Sequence, residues 1–140
     1  MELTRRNAII LGASALMVAG LPKQGGAATS ADDVIAAFTG GADVGTGDIT
    51  LTAPEIAENG NTVPIEVSSG SAAEILVLAM GNPTPSVATF KFGKLAASRS
   101  ASTRIRLAGT QDVVAIAKME NGSFVQASST VKVTIGGCGG

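Results

Sequence analysis

From Gly47 to the carboxyl terminus the apolar residues recur at a period of two, in short runs separated by turn residues. The runs are Asp48 to Ala53, Thr62 to Ser68, Glu74 to Met80, Val87 to Phe92, Ser102 to Ala108, Asp112 to Met119 and Ser123 to Ile135. Alternation is plain in Phe90-Lys91-Phe92, Thr103-Arg104-Ile105-Arg106-Leu107 and Val131-Lys132-Val133-Thr134-Ile135, which puts apolar side chains on one face of each strand and polar ones on the other. Ile75 to Met80 is apolar throughout, as for a strand covered on both faces. Turn chemistry stands between the runs at Asn59-Gly60-Asn61, Ser69-Gly70-Ser71, Gly81-Asn82-Pro83 and Asn121-Gly122, the last a two-residue hairpin signal. About seven short strands spaced in this way predict an immunoglobulin-like antiparallel β-sandwich, with the last run bent or broken near Ser128-Ser129.

Ahead of the strands lies one helical segment. Val34, Ile35 and Phe38 fall on one helical stripe, Ser30 is placed to cap it, Asp32 and Asp33 suit its positive end, and Gly40-Gly41 stops it. A short amino-terminal helix with its stripe packed on the sandwich is expected.

Residues 1–28 read as an address. Arg5 and Arg6 precede an apolar run from Ala8 to Leu21, which is short for a bilayer span, and small residues follow up to Ala28. The pair Arg5-Arg6, with Thr4 before it and Asn7, Ala8 and Ile9 after it, resembles a twin-arginine export signal, although Ala8 stands where a larger apolar residue is usual. Cleavage near Ala28 would remove three of the 10 basic groups and one of the 11 acidic ones, leaving 112 residues of net charge −3 in an oxidising periplasm. The expected organisation is a signal peptide (1–28), a helix and β-sandwich domain (29–135) and a carboxyl-terminal arm (136–140).

Composition narrows the chemistry. The chain has no His, no Trp, no Tyr and one Cys. An imidazole base, a His-ligated metal or haem, an internal disulfide and a Cys-x-x-Cys pair are thereby excluded. Near-neutral charge with four Phe as the only aromatics argues against general nucleic-acid binding. Lys91, Lys94, Arg99, Arg104 and Arg106 form a basic run without acidic interruption, which suits either a solvated strand face or a docking patch. Asn121-Gly122-Ser123 fits the glycosylation triplet and reads as a hairpin turn; Gly45-Thr46-Gly47, lying before a strand, is a turn and no phosphate loop.

The single thiol stands in Gly136-Gly137-Cys138-Gly139-Gly140. Glycine lacks a Cβ, so this tail combines minimal bulk with wide backbone freedom, and three extended residues would carry the sulfur about 10 Å past the last strand. Ordering five such residues costs about 5 to 10 kcal/mol, so a partner would hold the arm weakly, as suits a carrier that must leave each station. The nearest cation in sequence is Lys132, and a thiol without local activation is a few per cent thiolate at neutral pH. Cys138 therefore reads as a covalent substrate for other proteins' active sites, and the chain as a carrier and no enzyme.

An exported chain with this layout and this ending resembles the SoxY family, the sulfur-carrier subunits of the periplasmic thiosulfate-oxidising Sox system. The resemblance implies that Cys138 is the attachment point, with Gly136, Gly137, Gly139 and Gly140 as the arm. It implies thiosulfate joined to that sulfur by a SoxAX-like haem protein, hydrolysis by a SoxB-like enzyme, oxidation by a SoxCD-like enzyme, and a stable SoxZ-like β-sandwich partner. No bound cofactor or metal, and neither nucleic acid nor stable membrane association, is expected. Two alternatives stand beside it: a β-sandwich joined to a partner by a Cys138 disulfide, and a ubiquitin-like carrier whose terminal Gly139-Gly140 carboxylate becomes a thiocarboxylate.

Overall fold

A computed structural model describes residues 29–136. The expectations placed on residues 1–28 and on Gly137, Cys138, Gly139 and Gly140 lie outside the described residues.

The helix α1 spans Ala31–Thr39. Ser30 caps it with a full capping box: its hydroxyl accepts from the Asp33 amide, and the Asp33 carboxylate accepts from the Ser30 amide. At the other end Gly40 turns left-handed (φ 65°) and returns its N–H to the Ala36 carbonyl, which a residue with a Cβ would do only under strain.

Nine strands follow: β1 (Val44–Gly45), β2 (Thr50–Thr52), β3 (Ile56–Ala57), β4 (Val63–Ser68), β5 (Ala72–Ala79), β6 (Ser86–Lys91), β7 (Ser100–Ile105), β8 (Gln111–Met119) and β9 (Phe124–Val133). One sheet runs β1-β9-β8-β5-β6, with β3 also paired to β9; the other runs β2-β4-β7. Two facing sheets of mainly antiparallel strands make the expected sandwich. Strand β4 displays the alternation directly, with Val63, Ile65 and Val67 buried and Pro64 and Glu66 exposed. Pro64 is tolerated in the middle strand because β2 pairs with β4 only from Glu66 to Ser68, so no neighbour on that side needs its missing N–H.

The core between the sheets is built from Val63, Ile65 and Val67, Ile75 and Val77, Val113 and Ala115, and Val131. The other face of β5 and β8 is covered as well. Leu76, Leu78, Ile116 and Phe124 form a second cluster beneath Val34, Ile35 and Phe38 of α1, with the Phe38 and Phe124 rings edge to face at 5.8 Å. This is why β5 is apolar from Ile75 to Ala79: Ile75, Val77 and Ala79 face the opposite sheet, and Leu76 and Leu78 face the helix.

Three expectations need correction. The last strand is continuous, since Ser128 and Ser129 keep their register with Val114 and Val113, and two small polar side chains do not interrupt a backbone ladder. It ends at Val133 rather than Ile135. The strand count is nine rather than seven, because the two-residue strands β1 and β3 lie parallel to β9 and are too short to show any period.

Candidate functional site

The carboxyl-terminal arm leaves the sandwich from the end of β9, and the backbone there is held from two directions. On one side the segment that includes β3 runs beside it: the Lys132 amide donates to the Glu55 carbonyl (2.9 Å), the Thr134 amide to Ala57 (3.1 Å), and the Gly60 amide to the Ile135 carbonyl (2.8 Å). The Thr134 hydroxyl adds a bond to the Glu58 carbonyl (3.0 Å). On the other side β8 has ended, and the Thr110 hydroxyl takes over the ladder by accepting from the Val133 amide (3.0 Å). Chain pairing thus continues as far as Ile135, two residues past the strand proper.

A loop of residues 106–110 borders the same exit. Two buried amides fix it: Asn82 Nδ2 donates to the Arg106 carbonyl (2.8 Å), and Asn82 Oδ1 accepts from the Ala108 amide and from Gln111 Nε2 (2.9 Å each). Gln111 in turn donates to the Gly109 carbonyl and accepts from the Gly81 amide. Every polar atom of this pair is thereby occupied, which burial demands. The Leu107 amide donates to the Gly60 carbonyl (2.7 Å), tying this loop to the segment on the opposite side of the arm.

Of the arm residues singled out from sequence, Gly136 is the one that falls among the described residues, and it sits against the 106–110 loop. The basic residues do not act as one group. Arg99 is committed to structure, its guanidinium donating to the Ala72 carbonyl and pairing with Glu120 while its side chain is 13% exposed. Arg104 and Arg106 are exposed on either side of the buried Ile105, as strand alternation requires. Asn121 does form the turn between β8 and β9, its Oδ1 accepting from the amide and hydroxyl of Ser123, with Gly122 at φ 84°. Sequence reading missed the Asn82–Gln111 pair, because neither residue stands in a pattern that marks it and their partners are 24 to 30 residues away.

No group of three or more acidic, Cys or His residues lies together among the described residues in a way that could hold a metal. No described helix is long and apolar enough to cross a membrane.

No curated protein matches the chain. Among solved structures it is similar to the sulfur carrier protein SoxY from Chlorobium limicola f thiosulfatophilum, with 34% identity over 78% of this chain and 100% of that one and a TM-score of 0.66. It also shares its fold with a superoxide reductase (neelaredoxin) from Ignicoccus hospitalis, at 19% identity over 63% of this chain and 81% of that one and a TM-score of 0.55. The family model for the sulfur oxidation protein SoxY matches residues 35–138, a span that takes in the second half of the helix, both sheets and Cys138. The chain belongs to the SoxY family of sulfur carrier proteins.

Proposed function

We propose that this protein carries thiosulfate-derived sulfur covalently on Cys138 and presents it to enzymes of a Sox system. The observation that carries the reading is the family match through residue 138, which brings the only thiol of the chain inside a sulfur-carrier sequence. The surroundings of that match agree with a carried group rather than a catalytic one. The chain has no His to serve as a base.

The chemistry assigned to Cys138 balances as follows. The thiol and thiosulfate join by a new sulfur–sulfur bond to give a cysteine S-thiosulfonate, releasing one proton and two electrons, which a SoxAX-like haem protein accepts. Water then splits the terminal sulfur–sulfur bond in a SoxB-like enzyme, releasing sulfate and a proton and leaving a persulfide on Cys138. A SoxCD-like enzyme would oxidise the outer sulfur of that persulfide to a sulfonate, three waters supplying the oxygens, seven protons leaving and six electrons passing to that enzyme. A second hydrolysis would split the remaining sulfur–sulfur bond, releasing sulfate and a proton and returning the thiol. Each of these activities belongs to a partner, and this chain contributes the sulfur atom and its presentation.

On this reading the protein works in the periplasm, exported with residues 1–28 as a twin-arginine signal and folded together with a SoxZ-like sandwich subunit. Export in company with a folded partner subunit would account for a signal of the folded-cargo type. Intact-mass analysis of the protein isolated from cells fed thiosulfate tests the carrier role. Added sulfur atoms on Cys138 are expected; a terminal thiocarboxylate on Gly140, or disulfide-linked species alone, would overturn it. Export of a reporter fused to residues 1–30 should stop when Arg5 and Arg6 are both changed to Lys.

A further inference from the structure

Gly136 is usually the kind of residue explained by freedom of the backbone, but its surroundings give a different reason. The described glycines with positive φ are Gly40, Gly41 and Gly122, and Gly136 is not among them. What Gly136 needs is space. A Cβ built on it would lie 2.5 Å from the Ala108 carbonyl oxygen and 3.4 Å from the carbonyl carbon. The obstacle is main chain, which cannot rotate aside as the tip of a side chain can.

Nor can that main chain readily withdraw. Ala108 is held by its own amide to Asn82 Oδ1, and its neighbours Arg106 and Gly109 are held by Asn82 and Gln111. Leu107, between them, is fully buried and bonded to Gly60. On the far side the Gly60 amide holds the Ile135 carbonyl. The chain therefore passes through a slot whose two walls are tied to each other.

We propose that Gly136 is a positioning residue for sulfur transfer: it lets the chain leave the sandwich through this slot, so that Cys138 is presented from an origin fixed by the Asn82–Gln111 pair. The inference rests on the reading of Cys138 as the carrier thiol. Cys138 lies two residues beyond Gly136, a span of about 7 Å at full extension, so a shift of about an ångström at the origin is a substantial part of the arm's whole reach. A displaced origin would present the sulfur out of line to an enzyme that accepts it.

The test compares Gly136→Ala with Gly139→Ala in the full-length protein, in complex with its partner subunit. Enzymatic loading of Cys138 with thiosulfate is followed by intact mass, alkylation of Cys138 by iodoacetamide gives its intrinsic reactivity, and amide exchange reports on Gly60. In Gly136→Ala, loading should fall by about tenfold or more, since a misplacement of about an ångström can cost up to ~10²-fold. Exchange at the Gly60 amide should rise about tenfold as its bond to Ile135 opens locally. Alkylation should stay within about twofold of wild type, and Gly139→Ala should leave the Gly60 exchange unchanged. Adding Asn82→Ala, which frees the Ala108 wall, should shrink the exchange defect of Gly136→Ala rather than add to it. Wild-type loading in Gly136→Ala, wild-type exchange at Gly60, or simple additivity with Asn82→Ala would each overturn the proposal. If the wild-type protein takes up no sulfur, the carrier reading fails, and exchange and additivity still decide whether Gly136 sets the slot.

Discussion

Asn82 and Gln111 face each other through their side-chain amides, with Gln111 Nε2 donating to Asn82 Oδ1 at 2.9 Å in a buried setting between the β5–β6 connection and the loop that borders the arm. Asn82 carries three of the bonds that shape this end of the sandwich, to Arg106, Ala108 and Gln111. Removing its amide leaves the part-buried Arg106 carbonyl and Ala108 amide without partners, each costing about 1 to 3 kcal/mol. Asn82→Ala should therefore lower unfolding stability by about 2 to 4 kcal/mol in urea melts. Asn82→Asp, which keeps an acceptor for Ala108 and Gln111 but buries a charge and sets a second oxygen against the Arg106 carbonyl, should cost at least as much as Asn82→Ala. Equal stability of Asn82→Ala and wild type would mean that the loop finds other partners.

The amino-terminal helix adds stability through one aromatic contact. Phe38 meets Phe124 edge to face, and Phe124 itself is 8% exposed. Double-mutant cycles of such pairs give about 0.5 to 1.5 kcal/mol beyond area burial. Phe38→Leu, Phe124→Leu and the double variant should show a coupling in that range, measured by thermal or denaturant unfolding. No coupling would indicate that the helix contributes through Val34 and Ile35 alone.

The helix was legible in the sequence to its caps, since Ser30, Asp33 and Gly40 act through local hydrogen bonds that local residues determine. The long strands were legible for a similar reason: alternation in β4 or β7 survives because one face is buried along the whole strand. The two short strands on β9 were not. A two-residue strand has no period, and β1 and β3 exist only because β9 offers its edge far along the chain, to Val44 at Phe124 and to Ile56 at Lys132. The same holds for the site: the tail Gly136 to Gly140 stands out in the sequence, whereas the slot around its first residue is made by Gly60, Asn82 and Ala108, which no spacing connects. In the sequence Gly136 is one of four like glycines around Cys138, and the Ala108 carbonyl beside it is what sets it apart.

Arg99 shows how the basic run divides. Its guanidinium donates to the Ala72 carbonyl and to Glu120, whose side chain is 56% exposed. An exposed ion pair contributes at most about 1 kcal/mol, so Glu120→Gln should change stability by a few tenths to about 1 kcal/mol. Arg99→Ala should cost about 1 to 3 kcal/mol, because it also removes the donor serving the Ala72 carbonyl. Unfolding curves at low and high salt separate the two effects: the Glu120 part should shrink with salt, and the Ala72 part should not. Equal losses for the two variants would show that the ion pair, rather than the carbonyl contact, is what holds Arg99.

Arg104 and Arg106 behave differently in the fold, as both are exposed and neither forms an ion pair within the described residues. Arg104 reaches only the Thr62 hydroxyl, at 3.5 Å. Substitution to Glu at either position should leave unfolding stability within about 0.5 kcal/mol, the ordinary range for surface changes away from buried features. A partner that docks through complementary charge should then bind more slowly, with the loss concentrated in the association rate and largest at low salt. Association rates of the double charge-reversed protein with its partner subunit and with the sulfur-loading enzyme, taken at two salt concentrations, decide whether this face is a docking surface. Wild-type rates at both salts would leave Arg104 and Arg106 as the solvated side of an alternating strand, with the buried Ile105 between them as the residue that the pattern serves.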